Sequence, residues 1–388
     1  MKSLDRLVPE PLIEHARSIS TPYPHQLVRK KMKKKWIVIP SLLVLAVIVA
    51  GAMPILQHVW NQSKPRPKVV VDSAMRSKAI DTLVAKLNEN YIFPDKAKQM
   101  EAALRQRQKD GKYDGITDGE KLAQQLTADM QAVSPDKHME VGFDPGLVLP
   151  DDNGAPPPPE TQAEWQERTP FFMRLMMGFM SGRQVEEVKH LGGNIGYLKL
   201  AGFPPDFLVA KKFGSAMDDL SDTEALIVDL RQNGGGAPES VALLVSYFVD
   251  QRTRLNDIWD RTTGITKQYW TADKLDGKRY GGKKPVLILV GPGTMSAGED
   301  FAYTMQALKR ATVIGERTWG GANPARPHRI GEYFFAVIPG RRSINPITGT
   351  NWEGVGVTPD IAAKPDNALA VANDLLQRRL HDAAPLRH

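Results

Sequence analysis

The spacing of apolar positions sorts the chain into blocks. Trp36 to Leu56 is a run of 21 residues without a charge, rich in Val, Leu, Ile and Ala. At ~1.5 Å per residue it is long enough to span a bilayer. Beyond it, apolar residues fall at helical steps: Ile80, Leu83, Val84 and Leu87, then Ala97 to Gln108, then Leu122, Leu126, Met130 and Val133. That pattern predicts three helices. Tyr91-Ile-Phe-Pro94 separates the first from the second, and Thr117-x-x-Glu120 forms a capping box for the third. SPDKHMEV, residues 134–141, reads as a turn leading into a strand.

From Asn194 the period alternates. Ile195–Leu200, Ala225–Leu230, Val286–Val290 and Ala311–Ile314 read as strands. Asp206–Leu220, a segment starting at Pro238, and the stretch carrying Phe301, Met305 and Leu308 read as helices. Further strands are expected in 330–338 and 355–361, and a terminal helix over Ala368–Leu380. Strands alternating with helices predict an α/β core with a largely parallel or mixed sheet, whose sites gather at the carboxyl ends of the strands.

The expected organisation is a basic cytoplasmic segment (1–35), a transmembrane anchor or signal peptide (36–56), a linker (57–71) and a helical domain (72–143). A Pro-rich loop and Met/Phe-rich segment (144–190), the main core (191–365) and a C-terminal helix and tail (366–388) follow. The segment Phe171–Met180 reads either as an amphipathic lid or as a packing helix. RKKMKKK, residues 29–35, precedes the apolar run, so the bulk of the chain is expected to be exported. The small-x-small triplet Ala50-Gly51-Ala52 keeps cleavage open as the alternative to an anchor. An anchored form would face the periplasm from a bacterial inner membrane; a cleaved one would be periplasmic or secreted.

The formal net charge of +7 is concentrated at the N-terminus, where residues 1–60 hold nine Lys/Arg against three Asp/Glu. The remainder is close to neutral, which removes the case for nucleic acid as a partner. The absence of cysteine excludes disulfides, thiol catalysis and cysteine metal sites. The eight histidines show no HExxH-like spacing, so neither a metal nor a cofactor is expected.

Two turns carry candidate chemistry. TMSAGED, residues 294–300, lies between a buried strand and a helix N-terminus, where N–H groups and the macrodipole favour developing negative charge. Ser296 there is a candidate nucleophile; Ser296 and Glu299 also satisfy the pattern of a plain capping box. DLRQNGGG, residues 229–236, occupies the same position after another strand. It is either a tight turn or one half of an oxyanion hole, with Gly234 or Gly235 brought beside Ser296 and the Ala297 N–H. His138, in a turn at the edge of the helical domain, is a candidate base; Glu353, in NWEGVGVTPDI, is a candidate partner.

VDLRQNGGG, TMSAGEDFAYTMQ, ATVIGERTWGG and EGVGVTPDI, in this order, resemble peptidase family S41 over roughly residues 72–365. That family includes tail-specific (C-terminal processing) proteases, the tricorn core and the interphotoreceptor retinoid-binding protein repeats. The segment ending in DKHMEV resembles the N-terminal region of the retinoid-binding-protein-like branch, and no segment reads as an inserted PDZ domain. The resemblance implies a ClpP/crotonase-like mixed-sheet core, with Ser296 as nucleophile and the N–H groups of Ala297 and of Gly234 or Gly235 as oxyanion hole. The lysine base of tail-specific proteases is absent, because its place reads Trp319-Gly320-Gly321-Ala322. His138 and Glu353 match the tricorn-like histidine and glutamate. The serine that stands beside that histidine is replaced by Lys137, leaving Asp136 as a candidate substitute orienter. The implied activity is that of an exported serine endopeptidase acting on peptides or unfolded proteins. The alternative on the same fold is a non-catalytic module binding a lipid- or retinoid-like ligand. Oligomeric state is not legible.

Overall fold

The computed structural model describes residues 68–146, 167 and 183–383. The apolar run 36–56 and the segment Phe171–Met180 lie outside the described residues. Among the described helices, none is long and apolar enough to cross a membrane.

Three helices open the described chain: α1 (Ser73–Asn90), α2 (Pro94–Lys109) and α3 (Gly119–Val133). The Asp72 carboxylate accepts the Met75 N–H at 2.8 Å and caps α1. Pro94 starts α2 at a position where its missing N–H costs nothing. The cap of α3 differs from the expected one. Asp118, not Thr117, is the N-cap, and it accepts the Lys121 N–H at 3.0 Å. The Thr117 carbonyl is engaged instead by the Val71 N–H, which leaves Asp118 as the residue at the helix boundary.

The core is a six-stranded sheet of order β12-β8-β7-β4-β3-β2. Its strands are β2 (Val185–Leu191), β3 (Ile195–Leu200), β4 (Ala225–Asp229), β7 (Val286–Val290), β8 (Thr312–Gly315) and β12 (Ile361–Ala362). All neighbours are parallel except the antiparallel pair β2/β3. Every residue of β4 and β7 is buried, as their unbroken apolar runs require in a sheet covered on both faces. Alternation divides them. Leu226, Val228, Ile288 and Val290 pack against α4 (Asp206–Leu220), α5 (Pro238–Val245) and α6 (Ala297–Ala307). Ile227, Leu287 and Leu289 pack against α7 (Pro365–Ala383) through Ala368, Ala372 and Leu376.

Two smaller sheets complete the fold. One pairs β1 (Glu140–Phe143) with β10 (Phe334–Pro339), which in turn pairs with β9 (Ala325–Arg329). The other has β5 (Asp257–Asp260) between β11 (Arg341–Ile344) and β6 (Thr266–Lys267). Strand β2 falls in the stretch expected to be loop, and β5 and β6 fall in a stretch with no periodicity. In β2 the charged positions face solvent at a sheet edge and mask the apolar alternation. The expected 330–338 strand is a hairpin arm beginning at Phe334. Of 355–361 only Ile361 is in a strand, because Gly354 and Gly356 turn the chain at φ 71° and 72°.

The helical segment does not have a core of its own. Leu83, Leu87, Met100, Leu104, Leu126 and Met130 pack in one cluster with Phe334, Ala336 and Ile338 of β10. Backbone pairing Glu140↔Val337 to Phe143↔Phe334 and the Ile92 N–H to Pro339 carbonyl bond (2.8 Å) seal the joint. The Arg261 guanidinium donates to the carbonyls of Asn88 (2.8 Å) and Tyr91.

The capping assignment is testable by denaturation. Asp118→Ala is expected to cost about 1 kcal/mol, whereas Thr117→Ala should leave the midpoint in place; equal losses would overturn the assignment.

Candidate active site

Strands β4 and β7 are adjacent, paired Leu226↔Val286 through Asp229↔Leu289, so their carboxyl ends deliver two turns side by side. The first is the glycine loop. Asn233, fully buried, organises it: its Nδ2 donates to the Leu200 carbonyl (3.0 Å) and its Oδ1 accepts the Gly235 N–H (3.0 Å). The second turn is laced to the first. The Met295 N–H donates to the Asn233 carbonyl at 2.9 Å, and the Thr294 hydroxyl to the Leu230 carbonyl at 2.7 Å.

Ser296 follows with φ 49° and ψ −115°. A positive φ on a non-glycine residue costs of order 1–3 kcal/mol and persists only where the surroundings enforce it. Gly235 is part of that enforcement: a Cβ there would lie 2.7 Å from the Ser296 Cβ and 2.9 Å from the Met295 carbonyl, and its own φ is +90°. The two turns touch backbone to backbone, and only glycine fits the contact.

The expected oxyanion donors fare differently. The Ala297 N–H, first of α6, has no acceptor among the described residues. The Gly234 N–H is committed to the Ala201 carbonyl at 2.9 Å and the Gly235 N–H to Asn233 Oδ1 at 3.0 Å. Both expected glycine donors are thus committed, and of the three expected donors only that of Ala297 is open.

Glu299 does more than the capping box assigned to it from sequence. It is fully buried, and its two oxygens accept four donors. These are the Ser296 N–H (3.0 Å), the Gly321 N–H (3.0 Å), the Gly320 N–H (2.6 Å) and the Thr318 hydroxyl (2.5 Å). Burial pushes this carboxyl above its ordinary range, and the four donors pull against that shift. The Ser296 turn is thereby fixed to the loop 318–321. That loop is fixed in turn to the Glu353 loop by Val357 N–H to Thr318 Oγ1 (2.6 Å), Gly354 N–H to the Gly320 carbonyl (3.0 Å) and Trp352 Nε1 to the Gly321 carbonyl (2.8 Å).

His138 meets this assembly from the helical side. It sits one turn before β1, with its N–H on Asp136 Oδ1 (3.1 Å). Its ring packs edge-on against Trp319, centroids 4.8 Å apart at 87°, and a Cβ on Gly321 would lie 2.6 Å from its Cε1. Asp136, His138 and Glu353, distant in sequence, bring one nitrogen or oxygen each to within 4.8 Å of one another. Glu353 accepts the Ala322 and Asn323 N–H groups on Oε2 (2.6 and 3.0 Å), while its Oε1 and His138 Nδ1 are buried without a hydrogen-bond partner. Asn323 Nδ2 donates to Asp136 Oδ2 at 3.1 Å. Lys137, which replaces the serine of the tricorn pattern, turns away: its ammonium donates to the Trp319 carbonyl. It does not enter the carboxylate–histidine group.

Burial governs the charges. Desolvation lowers His138 to about 4. Desolvation and the nearby Asp136 charge raise Glu353 to about 7. The two shifts agree: below pH 7 Glu353 is neutral, so no charge from it holds a proton on the imidazole. Asp136 is raised as well, by its own burial.

The α/β fold thus brings a strained serine at a strand-to-helix turn, with an open N–H behind it, together with a histidine–carboxylate group packed against the adjoining loop. Comparison with known proteins makes this specific. Residues 194–363 match the model of peptidase family S41, and residues 70–170 match the N-terminal domain of S41 peptidases found in eukaryotic IRBP. The chain belongs to peptidase family S41. A carboxy-terminal-processing protease of Bartonella bacilliformis is 26% identical over 187 residues, which are 47% of this chain and 42% of that protein. The chain thus spans less than half the length of this relative. A crystal structure of a Parabacteroides merdae chain superposes with a TM-score of 0.53 at 17% identity, covering 78% of this chain and 96% of that one. The tricorn protease crystal structure gives 0.51 at 16% identity, covering 79% and 37%. These last two likenesses concern the fold.

Glu299 was legible only as a cap, Asn233 and Trp319 not at all; the Ser-x-x-Glu and Asn-Gly-Gly-Gly spacings carry no mark of the long-range bonds they make. Glu299→Gln keeps the volume but replaces one acceptor oxygen by an amide NH2 donor. It should lower stability by about 2–4 kcal/mol in denaturant unfolding, since two buried donors lose their acceptor; an unchanged midpoint would contradict the role given to this carboxylate.

Proposed function

We propose that the protein is a serine endopeptidase. Family membership and the convergence of His138 and Glu353 on the loop that Glu299 ties to Ser296 support this reading; that convergence is the observation that carries it. His138 takes the proton of the Ser296 hydroxyl as Oγ attacks a peptide carbonyl. The Ala297 N–H, backed by the positive end of α6, receives the developing oxyanion. His138 then returns the proton to the leaving amine, and water repeats the sequence to release the acyl group. Glu353 stabilises the imidazolium when ionised, and Asp136 helps fix the histidine through its backbone N–H.

A groove of about 520 Å³ flanks Gly235, lined by Ala201, Phe203, Pro204, Pro205 and Ala237 among others. Its apolar walls suit a peptide segment with apolar side chains next to the scissile bond. Export, through the apolar run 36–56 as anchor or as cleaved signal, belongs to the same proposal and rests on the sequence alone.

Labelling with a fluorophosphonate probe tests the nucleophile and the base. The wild type should label at one site, Ser296→Ala should not label at all, and His138→Ala should label ~10²–10⁴-fold more slowly. Label lost only in Ser296→Ala would discard His138 as base. A folded wild type that never labels would favour the ligand-binding alternative.

The pH profile follows from the two shifts. With the histidine neutral down to about pH 4, its own protonation affects labelling only below pH 5. The first fall on acidification belongs to Glu353, which loses its charge through about pH 7. In buffer containing EDTA, labelling should therefore decline in a step near pH 7, and Glu353→Gln should remove that step. A wild-type profile flat from pH 8 to 5 would exclude a role for the Glu353 charge.

A further inference from the structure

The group Asp136, His138 and Glu353 has the donor set of a metal site as well as that of a relay. Three ligands held tetrahedrally at ~2.0–2.2 Å from a common ion lie ~3.3–3.6 Å from one another. The three atoms here are all within 4.8 Å of one another, so side-chain rotations that draw them together by about an ångström bring them to that spacing. Two of the three residues present atoms with nothing else to do: His138 Nδ1 and Glu353 Oε1 are buried and unpartnered. Asp136, 3% exposed, accepts the His138 N–H on Oδ1 and Asn323 Nδ2 on Oδ2 and is also approached by the Tyr91 hydroxyl, which still leaves acceptor capacity on a carboxylate with about four lone-pair sites. Among the described residues no Lys or Arg forms an ion pair with Asp136 or Glu353; the adjacent Lys137 is held at the Trp319 carbonyl.

The supporting shell is also that of a metal site. Ligating carboxylates are usually oriented by outer hydrogen bonds. Here the second oxygen of Glu353 is fixed by two backbone N–H groups, of Ala322 and Asn323, and Asp136 by Asn323 Nδ2. One imidazole nitrogen with two carboxylates suits a borderline divalent ion, and three protein ligands leave a position for water.

We infer that Asp136, His138 and Glu353 bind a zinc-like divalent transition metal ion, and that its binding switches off the serine site. The ion takes the Nδ1 lone pair and displaces the carboxylate's electrostatic support. Its positive charge opposes formation of the imidazolium, so His138 no longer accepts the Ser296 proton. The inhibitory half rests on the proposed function; the binding half does not.

The full chain, stripped with EDTA, is titrated with ZnCl2 against a chromophoric chelator, as wild type and as Ser296→Ala, His138→Ala and Glu353→Gln. One Zn2+ per chain is expected in the wild type and in Ser296→Ala, weakened at least ~10-fold in the other two. The nearly isosteric Glu353→Gln keeps the test valid if His138→Ala fails to fold. Co2+ should give visible d–d absorption lost in the same variants. Stoichiometric Zn2+ should block fluorophosphonate labelling of the wild type, and EDTA should restore it. Binding that survives both ligand substitutions, or no binding at micromolar Zn2+, overturns the inference. A labelled enzyme indifferent to Zn2+ also overturns it and leaves the peptidase standing. A chain that never labels but binds one Zn2+ through these residues sinks the peptidase reading and keeps the site.

Discussion

One buried carboxylate, that of Glu299, sets the geometry on which the rest of the site depends. Its four donors come from both sides of the site: one from the Ser296 turn and three from the loop 318–321. Burying a carboxylate without a cation is costly, and it is tolerated where every lone pair is met by a donor. Here the cost is offset by locking two loops in one relative position. Ser296 is held at a backbone angle that its side chain disfavours, and the loop beneath His138 is held against it. The strained turn, the glycine contact at Gly235 and the edge-on Trp319–His138 pair are downstream of that lock.

The second dependence is on shared packing. His138 belongs by sequence to the helical segment, but its position is set by the core. Strand β1, immediately after it, is held by β10 in register from Glu140↔Val337 to Phe143↔Phe334, and the helices bury their apolar faces on the same strand. Glu353 reaches the histidine from the other side, on a loop that Gly354 and Gly356 bend. Burial then does the electrostatic work, keeping the histidine neutral and delaying ionisation of the glutamate.

Much of this was legible in the chain itself. The strands β4, apolar up to Asp229, and β7, apolar throughout, read as buried strands, and the two turns that follow them stand out by their glycines and serine. The roles of His138 and Glu353 came from resemblance, since neither has local context that distinguishes it. What could not be read were the long-range bonds. Nothing near Asn233 announces that it fastens the Gly235 N–H, which the expected oxyanion role requires to be open. Edge strand β2 escaped notice because solvent-facing charges dilute its period. The α3 cap was misplaced by one residue, because two adjacent residues both had capping chemistry and only the helix boundary chooses between them.

The pairing of β1 with β10 has a consequence for the life of the chain during synthesis. The strand that follows His138 leaves the ribosome long before the strand that holds it, and Glu353 emerges later still. Contacts of such separation form after local helices, because loop closure must precede them. A partly made chain thus contains the Ser296 turn before His138 and Glu353 can be brought to it. Assembly of the site is therefore a late event in the folding of this chain, whatever the site then does.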